Sequence, residues 1–291
     1  MKEELMMRTK SNIKFYVFCI MLAASSIILA SIYLGKGQVS NAASTANVSV
    51  QPDVVLSKYD VTGDGKTDAI KVKIVDNKDE KNSATMQLFV NDKMAFQQKR
   101  EFYPGWDVKL IKLENGKVFF DICSTIGSDD ACIHQLYVCK DDKLKSVYDF
   151  QKYNNNYADY FSVDVVKVSG NTLKTNVRAQ FYTTGSIQYD MNLNYKNGKF
   201  VRTSNKFTPK YKAMSRKNKW TAEKKIKVYK KAGSKKVAYT LKKGNVIKLN
   251  KIIYKSNKIY FQVKNSKGKT GYIPAAKKYT SSCFKEAQYA G

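Results

Sequence analysis

The chain has 291 residues, of which 43% are apolar and 12% aromatic, enough to build the cores of two ordinary domains and to exclude a globally disordered protein. Its net charge of +28 is unevenly distributed, since residues 201–280 contain 25 Lys and Arg but a single acid, Glu223. The residues before 201 contain 26 basic and 22 acidic residues. The positive charge therefore belongs to the C-terminal part, which we expect to bind polyanions.

The N-terminal residues indicate export. Four basic residues precede residues 15–34, an uncharged apolar run of twenty residues that is long enough to span a bilayer with the rest of the chain outside. The small residues Ser40-Asn41-Ala42 follow, so the sequence leaves open an uncleaved membrane anchor and a cleaved signal. We assign residues 1–35 to this leader and residues 36–50 to a polar linker. For an exported protein we expect no nucleic-acid partner.

Residues 51–205 predict an antiparallel all-β domain. Short runs rich in β-branched and aromatic residues alternate with turn signals such as Glu114-Asn115-Gly116 and Lys196-Asn197-Gly198, and no stretch keeps a helical period. Two arrangements fit: a sandwich, or a set of four-stranded sheets of about 50 residues each, as in part of a propeller. The eleven predicted strands are 69–75, 85–90, 93–98, 108–113, 117–123, 133–139, 143–150, 161–168, 172–179, 188–195 and 199–203.

An acidic loop precedes the first of these strands. Asp60, Thr62, Asp64 and Asp68 occupy positions 1, 3, 5 and 9 of a calcium-type loop with glycine at position 6, and Lys66 at position 7 would contribute its backbone carbonyl. The loop resembles the short acidic loops of VCBS and FG-GAP repeats, which lie between strands in propeller-like domains. It departs from a helical calcium hand, because threonine stands at position 3 and a strand follows. The alternative is an Asp/Gly-rich turn closed by its own side chains.

The single histidine lies near two cysteines. If residues 117–123 pair with residues 132–139 so that Cys123 lies opposite Cys132, then Asp121 lies opposite His134 on the same face. Outside the cell two opposed cysteines form a disulfide, and His134 becomes a cross-strand partner of Asp121. Unpaired thiols, and a cysteine activated by histidine for catalysis or metal binding, are the alternatives.

Several catalytic patterns are absent from the sequence. There is no His-rich zinc motif, no Gly-rich phosphate loop and no Gly-x-Ser-x-Gly elbow. A pair of carboxylates that hydrolyses glycosidic bonds leaves no sequence signature among so many acids. We therefore expect a protein that is not an enzyme, with a wall glycan hydrolase as one alternative.

The C-terminal part carries the most regular pattern. Residues 206–218 are basic and poor in apolar residues, which indicates a boundary linker, and residues 280–291 form a tail. Residues 226–273 between them alternate short apolar bursts with turn signals and predict a meander of about five strands. The turn signals are Gly233-Ser234, Lys243-Gly244-Asn245, Ser256-Asn257 and Ser266-Lys267-Gly268.

Residues 219–279 resemble the bacterial Src-homology-3 domains of exported proteins. The resemblance is carried by Val228-Tyr229, Leu241-Lys242-Lys243-Gly244, Tyr260-Phe261-Gln262-Val263 and the closing residues 267–273. It implies a small barrel that binds peptidoglycan or another anionic wall polymer without catalysis. Lysines would attract the polymer and tyrosines would supply contact area. The candidate ligand-binding residues are Tyr229, Lys230, Lys231, Lys242, Lys243, Tyr260, Lys269 and Tyr272.

The sequence therefore predicts an all-β envelope protein with an N-terminal membrane helix, a central β domain and a C-terminal wall-binding barrel. It would be held at the membrane by residues 15–34, or be secreted and wall-associated if the signal is cleaved. A different interpretation is an envelope sensor or accessory protein, in which the central β domain binds a ligand or a protein partner. No cofactor is required, and Ca²⁺ at residues 60–68 is the one candidate.

Overall fold

A computed structural model describes residues 44–78, 82–102, 104–126, 130–152 and 157–289. These residues form twenty β-strands and contain no α-helix, which confirms the all-β prediction. Within them there is accordingly no helix of the length and apolarity needed to cross a bilayer. The predicted membrane segment, residues 15–34, lies outside the described residues. Residues 45–291 form one compact unit.

The first thirteen strands build three sheets, and all eleven strands predicted between residues 51 and 205 are present. They are β1 (Ala46–Ser49), β2 (Leu56–Tyr59), β3 (Asp68–Asp76), β4 (Ala84–Val90), β5 (Lys93–Arg100), β6 (Gly105–Lys112), β7 (Val118–Ile126), β8 (Asp130–Lys140), β9 (Lys143–Asp149), β10 (Ala158–Ser169), β11 (Thr172–Phe181), β12 (Gly185–Lys196) and β13 (Lys199–Arg202).

These strands form three successive antiparallel meanders of four strands each. The first sheet is β2-β3-β4-β5, the second is β6-β7-β8-β9 and the third is β10-β11-β12-β13. Strand β1 adds a fifth strand to the second sheet by pairing with β6, although its residues fall in the stretch that the sequence assigns to a linker. Two-residue turns with positive φ at both positions, Asn91-Asp92 and Asp141-Asp142, close two of the hairpins.

The remaining strands form one C-terminal sheet. It consists of β14 (Lys206–Phe207), β15 (Trp220–Thr221), β16 (Ile226–Tyr229), β17 (Val237–Leu241), β18 (Val246–Lys255), β19 (Lys258–Asn265) and β20 (Thr270–Pro274). The strand order is β14-β18-β19-β20-β16-β17, and β15 also pairs with β18. The five strands predicted within residues 226–273 are β16 to β20, and the four predicted turn signals lie between them.

Two apolar clusters hold the sheets together. One lies between the first and second sheets and includes Leu88 and Phe120, both fully buried. The other is continuous from the second sheet through the third to the C-terminal sheet, and it includes Phe119, Leu193 and Phe261. The two clusters use opposite faces of β7, because successive residues of a strand point to opposite sides. Phe119 and Phe120 are therefore both fully buried.

The third sheet and the C-terminal sheet share their core directly. The rings of Phe181 and Phe261 meet edge to face with their centroids 5.3 Å apart. The hydroxyls of Tyr189 and Tyr254 hydrogen-bond to each other at 2.8 Å, and both side chains are buried. Burial raises the pKa of Tyr189 above its usual value, so this hydroxyl stays protonated.

Residues 206–218 pack against both sheets. Phe207 is buried beside Tyr189, with their ring centroids 5.4 Å apart. Tyr211 donates its hydroxyl hydrogen bond to the carbonyl of Leu249 at 2.6 Å. The guanidinium of Arg216 donates to the carbonyl of Glu286 at 3.0 Å. Removing the C-terminal sheet from the chain would therefore expose a shared apolar core.

The tail completes this connection. The backbone N–H of Ser186 donates to the carbonyl of Gln288 at 2.8 Å, and the hydroxyl of Tyr289 donates to the carbonyl of Tyr182 at 3.1 Å. Gly185 makes this approach possible, because a Cβ at this position would collide with the backbone of Gln288. The tail thus lies against the edge of the third sheet.

We expect Gly185→Ala to destabilise the protein more than Gly198→Ala. Both glycines have positive φ, 65° and 78°, so each substitution carries the left-handed backbone penalty of about 1–2 kcal/mol. Only Gly185 faces a close backbone, which adds about 1–3 kcal/mol of overpacking, whereas nothing lies within 4 Å of a Cβ at Gly198. Urea unfolding of both variants measures the difference. Equal losses would contradict the docking of the tail on the third sheet.

Candidate functional site

The outward face of the C-terminal sheet combines lysines with tyrosines. Leu249, Phe261 and Val263 are fully buried, so the alternate residues of β18 and β19 lie on the opposite, outward face. Across these strands Lys248 lies opposite Lys264 and Lys255 lies opposite Lys258. The list of outward pairs is completed by Lys251 with Gln262 and Ile253 with Tyr260.

An open cleft at one end of this face brings several predicted residues together. It has a volume of about 280 Å³ and is lined by Tyr229, Lys231, Lys235, Tyr260 and Pro274, together with the turn residues Gly233 and Ser234. We call it the aromatic cleft. Lys235 and Pro274 were missed by the sequence reasoning, because their approach depends on how the loop between β16 and β17 folds back over β19.

Tyr272 extends the aromatic cleft along β20. It lies directly opposite Tyr229 on β16 and opposite Gln262 on β19. The side-chain amide of Gln262 donates to the Tyr272 hydroxyl at 2.9 Å, which orients the phenol ring. Tyr229, Tyr260 and Tyr272 therefore lie on one face, where Tyr229 and Tyr272 are half-buried and supply most of the exposed aromatic area. Tyr260 is the most buried of the three, with 9% of its surface exposed.

The other predicted ligand residues are not among those that line the aromatic cleft. Lys230 is exposed next to it, and Lys242 and Lys243 lie in the turn between β17 and β18. Lys269 extends over the ring of Tyr239, with its ammonium 5.8 Å from the ring centroid. The alternation of residues in the sequence does not distinguish lysines that line the aromatic cleft from lysines in other turns, because that difference depends on the conformation of the loops.

The charge of this face is uncompensated. Residues 246–274 contain no acid. Glu286 in the tail uses both carboxylate oxygens on Thr221, accepting from its backbone N–H at 2.6 Å and from its hydroxyl at 2.8 Å. In the part of the chain that the structure describes, the ion pairs of the lysines lie at residues 93–210, outside this face.

The acidic loop folds as a turn held by its own carboxylates. Asp60 accepts from the backbone N–H of Gly63 at 2.5 Å and from that of Gly65 at 2.8 Å. Asp64 accepts from the N–H of Lys66 at 2.8 Å. Among the described residues no group of three metal-ligating side chains is assembled. The observed geometry corresponds to the self-closed turn, and calcium binding stays a prediction.

Asp68 is the structural centre of the loop. This buried carboxylate accepts from the backbone N–H of Val61 at 2.7 Å and of Thr62 at 3.0 Å, and from the side-chain amide of Asn91 at 2.6 Å. Burial alone would raise the pKa of Asp68, but the hydrogen bonds to its charged form outweigh burial and lower the pKa below its usual value. Asp68 therefore ties the loop to the β4–β5 turn.

We expect Asp68→Asn to lower the free energy of unfolding by about 1–3 kcal/mol at pH 7. The NH2 group of the new amide would face the N–H donors that the carboxylate now accepts from. The contribution of Asp68 is fully present above the unfolded pKa of about 4, and it is lost as the pH falls through the lower folded pKa. Denaturant unfolding at several pH values should show the two proteins converging below pH ~4.

The matched control is Asp64→Asn, since Asp64 is exposed and its carboxylate accepts within the loop only from Lys66. Asp64→Asn should lower the free energy of unfolding by no more than about 0.5 kcal/mol. A constant difference between Asp68→Asn and the parent protein down to pH 2–3 would contradict the role of the charged carboxylate.

The hairpin that carries the histidine has a different register from the predicted one. Cys123 lies opposite His134 rather than opposite Cys132, so the predicted alignment is wrong by two residues. A bulge between Ser124 and Thr125 takes up Cys132, which has no direct partner on β7. Cys123 is a free thiol. The side chain of Cys132 lies outside the described residues, and with Cys123 as a free thiol the structure does not support the predicted Cys123–Cys132 disulfide.

The predicted contact between Asp121 and His134 is nevertheless formed. A shift of two residues keeps every side chain on its face, so the pair meets diagonally across the strands. Nε2 of His134 is 2.8 Å from Oδ1 of Asp121, and both side chains are buried. The ring of His134 also packs on Phe150, with 4.5 Å between centroids.

This group of residues does not activate the thiol. Burial, together with the negative charges of Asp121 and Asp107, raises the pKa of Cys123 to about 12. A nucleophilic cysteine needs the opposite shift, since the thiolate is the reactive form. The Asp121–His134 pair is therefore a buried structural contact between β7 and β8 within the second sheet.

We expect Cys123 to resist alkylation in the folded protein. At pH 8 a pKa of about 12 leaves roughly one thiol in ten thousand ionised. Iodoacetamide labelling followed by peptide mapping without reductant should find Cys123 unmodified before unfolding and modified after it. Rapid native labelling would contradict the raised pKa of this half-buried thiol, and a peptide linked to Cys132 would show that the disulfide forms.

No protein-family model, no curated protein and no solved structure matches the chain.

Proposed function

We propose that the protein is a non-catalytic cell-envelope protein whose C-terminal sheet binds peptidoglycan or another anionic wall polymer. The observation that carries this proposal is the aromatic cleft, where Tyr229 and Tyr260 lie beside Lys231 and Lys235 on a face without acids. Tyrosine rings offer flat contact area to sugar rings and backbones, and the ammonium groups attract negative charge.

The distribution of charge supports a polymeric ligand. The balance of 25 basic residues against one acid between residues 201 and 280 is larger than a single small anion needs. Exposed like charges repel one another and destabilise the compact state, and a bound polyanion relieves this repulsion. The lysines also extend along several strands, which suits a ligand that runs over the surface.

The proposal also includes the architecture of the two regions and the location of the protein. The strand order of the C-terminal sheet is compatible with a small Src-homology-3-like barrel, and the three four-stranded meanders are compatible with a propeller-like central region. An export segment at residues 15–34, cleaved or retained as an anchor, would place this face outside the cell membrane, where wall polymers are present.

We expect the purified full chain to sediment with cell-wall sacculi and to be released by salt. The interaction should weaken steeply between low salt and about 0.5 M salt, because exposed charges are screened within about 10 Å at 0.1 M ionic strength. Lys231→Gln with Lys235→Gln should weaken binding about tenfold, and Tyr229→Ala about threefold to tenfold through lost contact area.

The matched control is Lys277→Gln with Lys278→Gln, which removes the same charge from exposed positions outside the aromatic cleft. This control should bind within about twofold of the parent protein. Equal losses of binding in both double variants would show that the interaction depends on net charge alone and not on the aromatic cleft. Retention on sacculi that does not respond to salt would contradict the electrostatic mechanism. Turbidity clearing of a wall suspension would instead indicate a hydrolase.

A further inference from the structure

A second open cleft lies at the other end of the same face. Its volume is about 590 Å³, and its polar lining includes Lys248, Lys264, Asn250 and Ser266. We call it the lysine cleft. None of these four residues was predicted to bind a ligand.

The lysine cleft contains a like-charge pair for which the structure shows no acidic partner among the described residues. Lys248 and Lys264 lie directly opposite each other on β18 and β19, with both side chains exposed. Opposed side chains of an antiparallel pair have Cβ atoms about 5 Å apart, and like charges on directly opposite residues are destabilising. The nearest strand positions offer no carboxylate, because residues 246–274 contain no acid. The cleft therefore carries two directly opposed lysines around an open space of about 590 Å³, which is large enough for an anion.

Two other lysines on this face have neutral partners. Lys251 donates to the Thr208 hydroxyl at 2.6 Å, and Lys255 donates to the carbonyl of Ala232 at 3.1 Å. Lys248 and Lys264 make no such bond to the described residues. Their donors, together with the Asn250 amide and the Ser266 hydroxyl, are available to one ligand.

We propose that the lysine cleft binds a phosphate group of a linear, non-nucleic wall polymer. Lysine binds phosphate as a point charge, whereas planar carboxylates are recognised best by the fork of an arginine. Residues 217–291 contain no arginine, so the positively charged side chains of β15 to β20 and of the turns between them are all lysines. A phosphate between two ammonium groups converts their repulsion into two attractions. Asn250 and Ser266 add neutral hydrogen-bond donors.

The two clefts fit one extended ligand. Tyr260, Gln262 and Lys264 lie on the same outward face of β19, and four residues of a strand span about 13 Å. A flexible polymer that contacts the aromatic cleft with a sugar or polyol unit would reach the lysine cleft with a charged group further along. The inference rests on the proposed function and specifies the chemistry of the ligand.

The experiment titrates the full chain with tripolyphosphate, a small probe of phosphate chemistry, and follows lysine and backbone signals by NMR. We expect saturable shifts at residues 248–250 and 264–268. Lys248→Gln with Lys264→Gln should weaken the binding of tripolyphosphate about tenfold, because two charged hydrogen bonds are lost at an exposed site. The control Lys277→Gln with Lys278→Gln should leave the affinity within about twofold.

Two further probes decide between ligand classes. A polyglutamate peptide of matched charge should bind more weakly than tripolyphosphate, and equal binding would overturn the preference for phosphate. A single-stranded oligonucleotide that binds more tightly than phosphate polymers, with loss on Tyr229→Ala, would overturn the non-nucleic assignment.

Failure of this inference is separable from failure of the proposed function. Shifts spread evenly over exposed lysines, with sacculus binding intact and sensitive to Lys231→Gln and Lys235→Gln, would overturn only the lysine cleft. Loss of sacculus binding in the parent protein, with tripolyphosphate still bound between Lys248 and Lys264, would support the cleft and overturn the wall-polymer function.

Discussion

The packing of the third sheet on the C-terminal sheet is the contact on which the rest of the molecule depends. Phe181 against Phe261 and the buried hydroxyl pair of Tyr189 and Tyr254 join two sheets that follow one another in the chain. This contact assigns one face of the C-terminal sheet to the core. The lysines are excluded from that face because an unpaired buried charge is expensive. They accumulate on the other side, where they repel one another and attract anions.

The same constraint links the stability of the protein to its function. The cohesion of the C-terminal sheet comes from apolar burial, from Tyr211 and Asn218 bonded to the backbone of Leu249, and from the tail. Its electrostatics work in the opposite direction. Under the proposed function, a bound polyanion would remove this repulsion without changing the core, and binding would add to stability by mass action. The acidic loop and the His134 hairpin contribute structure elsewhere and leave this face as the chemically distinctive part of the molecule.

The sequence was sufficient for strands whose residues alternate strongly and end in clear turns. Residues 69–75 and 258–264 are of this kind. It was insufficient for β1, β2, β14 and β15, which are only two to four residues long and form because a neighbouring strand offers an unpaired edge. The register of the His134 hairpin also escaped prediction, because a bulge shifts pairing without changing the pattern of apolar residues. For the candidate site, Tyr229, Lys231 and Tyr260 were predictable from the pattern, while Lys248 and Lys264 required the cross-strand register.

The central claim is that the outward face of β18, β19 and β20, together with the loop between β16 and β17, contacts an anionic wall polymer. Lysine acetylation of the full chain, measured by mass spectrometry with and without sacculi, tests it most directly because each ammonium reports separately. The account predicts protection of Lys231, Lys235, Lys248 and Lys264, whereas Lys277 and the exposed Lys117 of the second sheet stay reactive. Protection centred on the first or second sheet, with these four lysines unchanged, would contradict it.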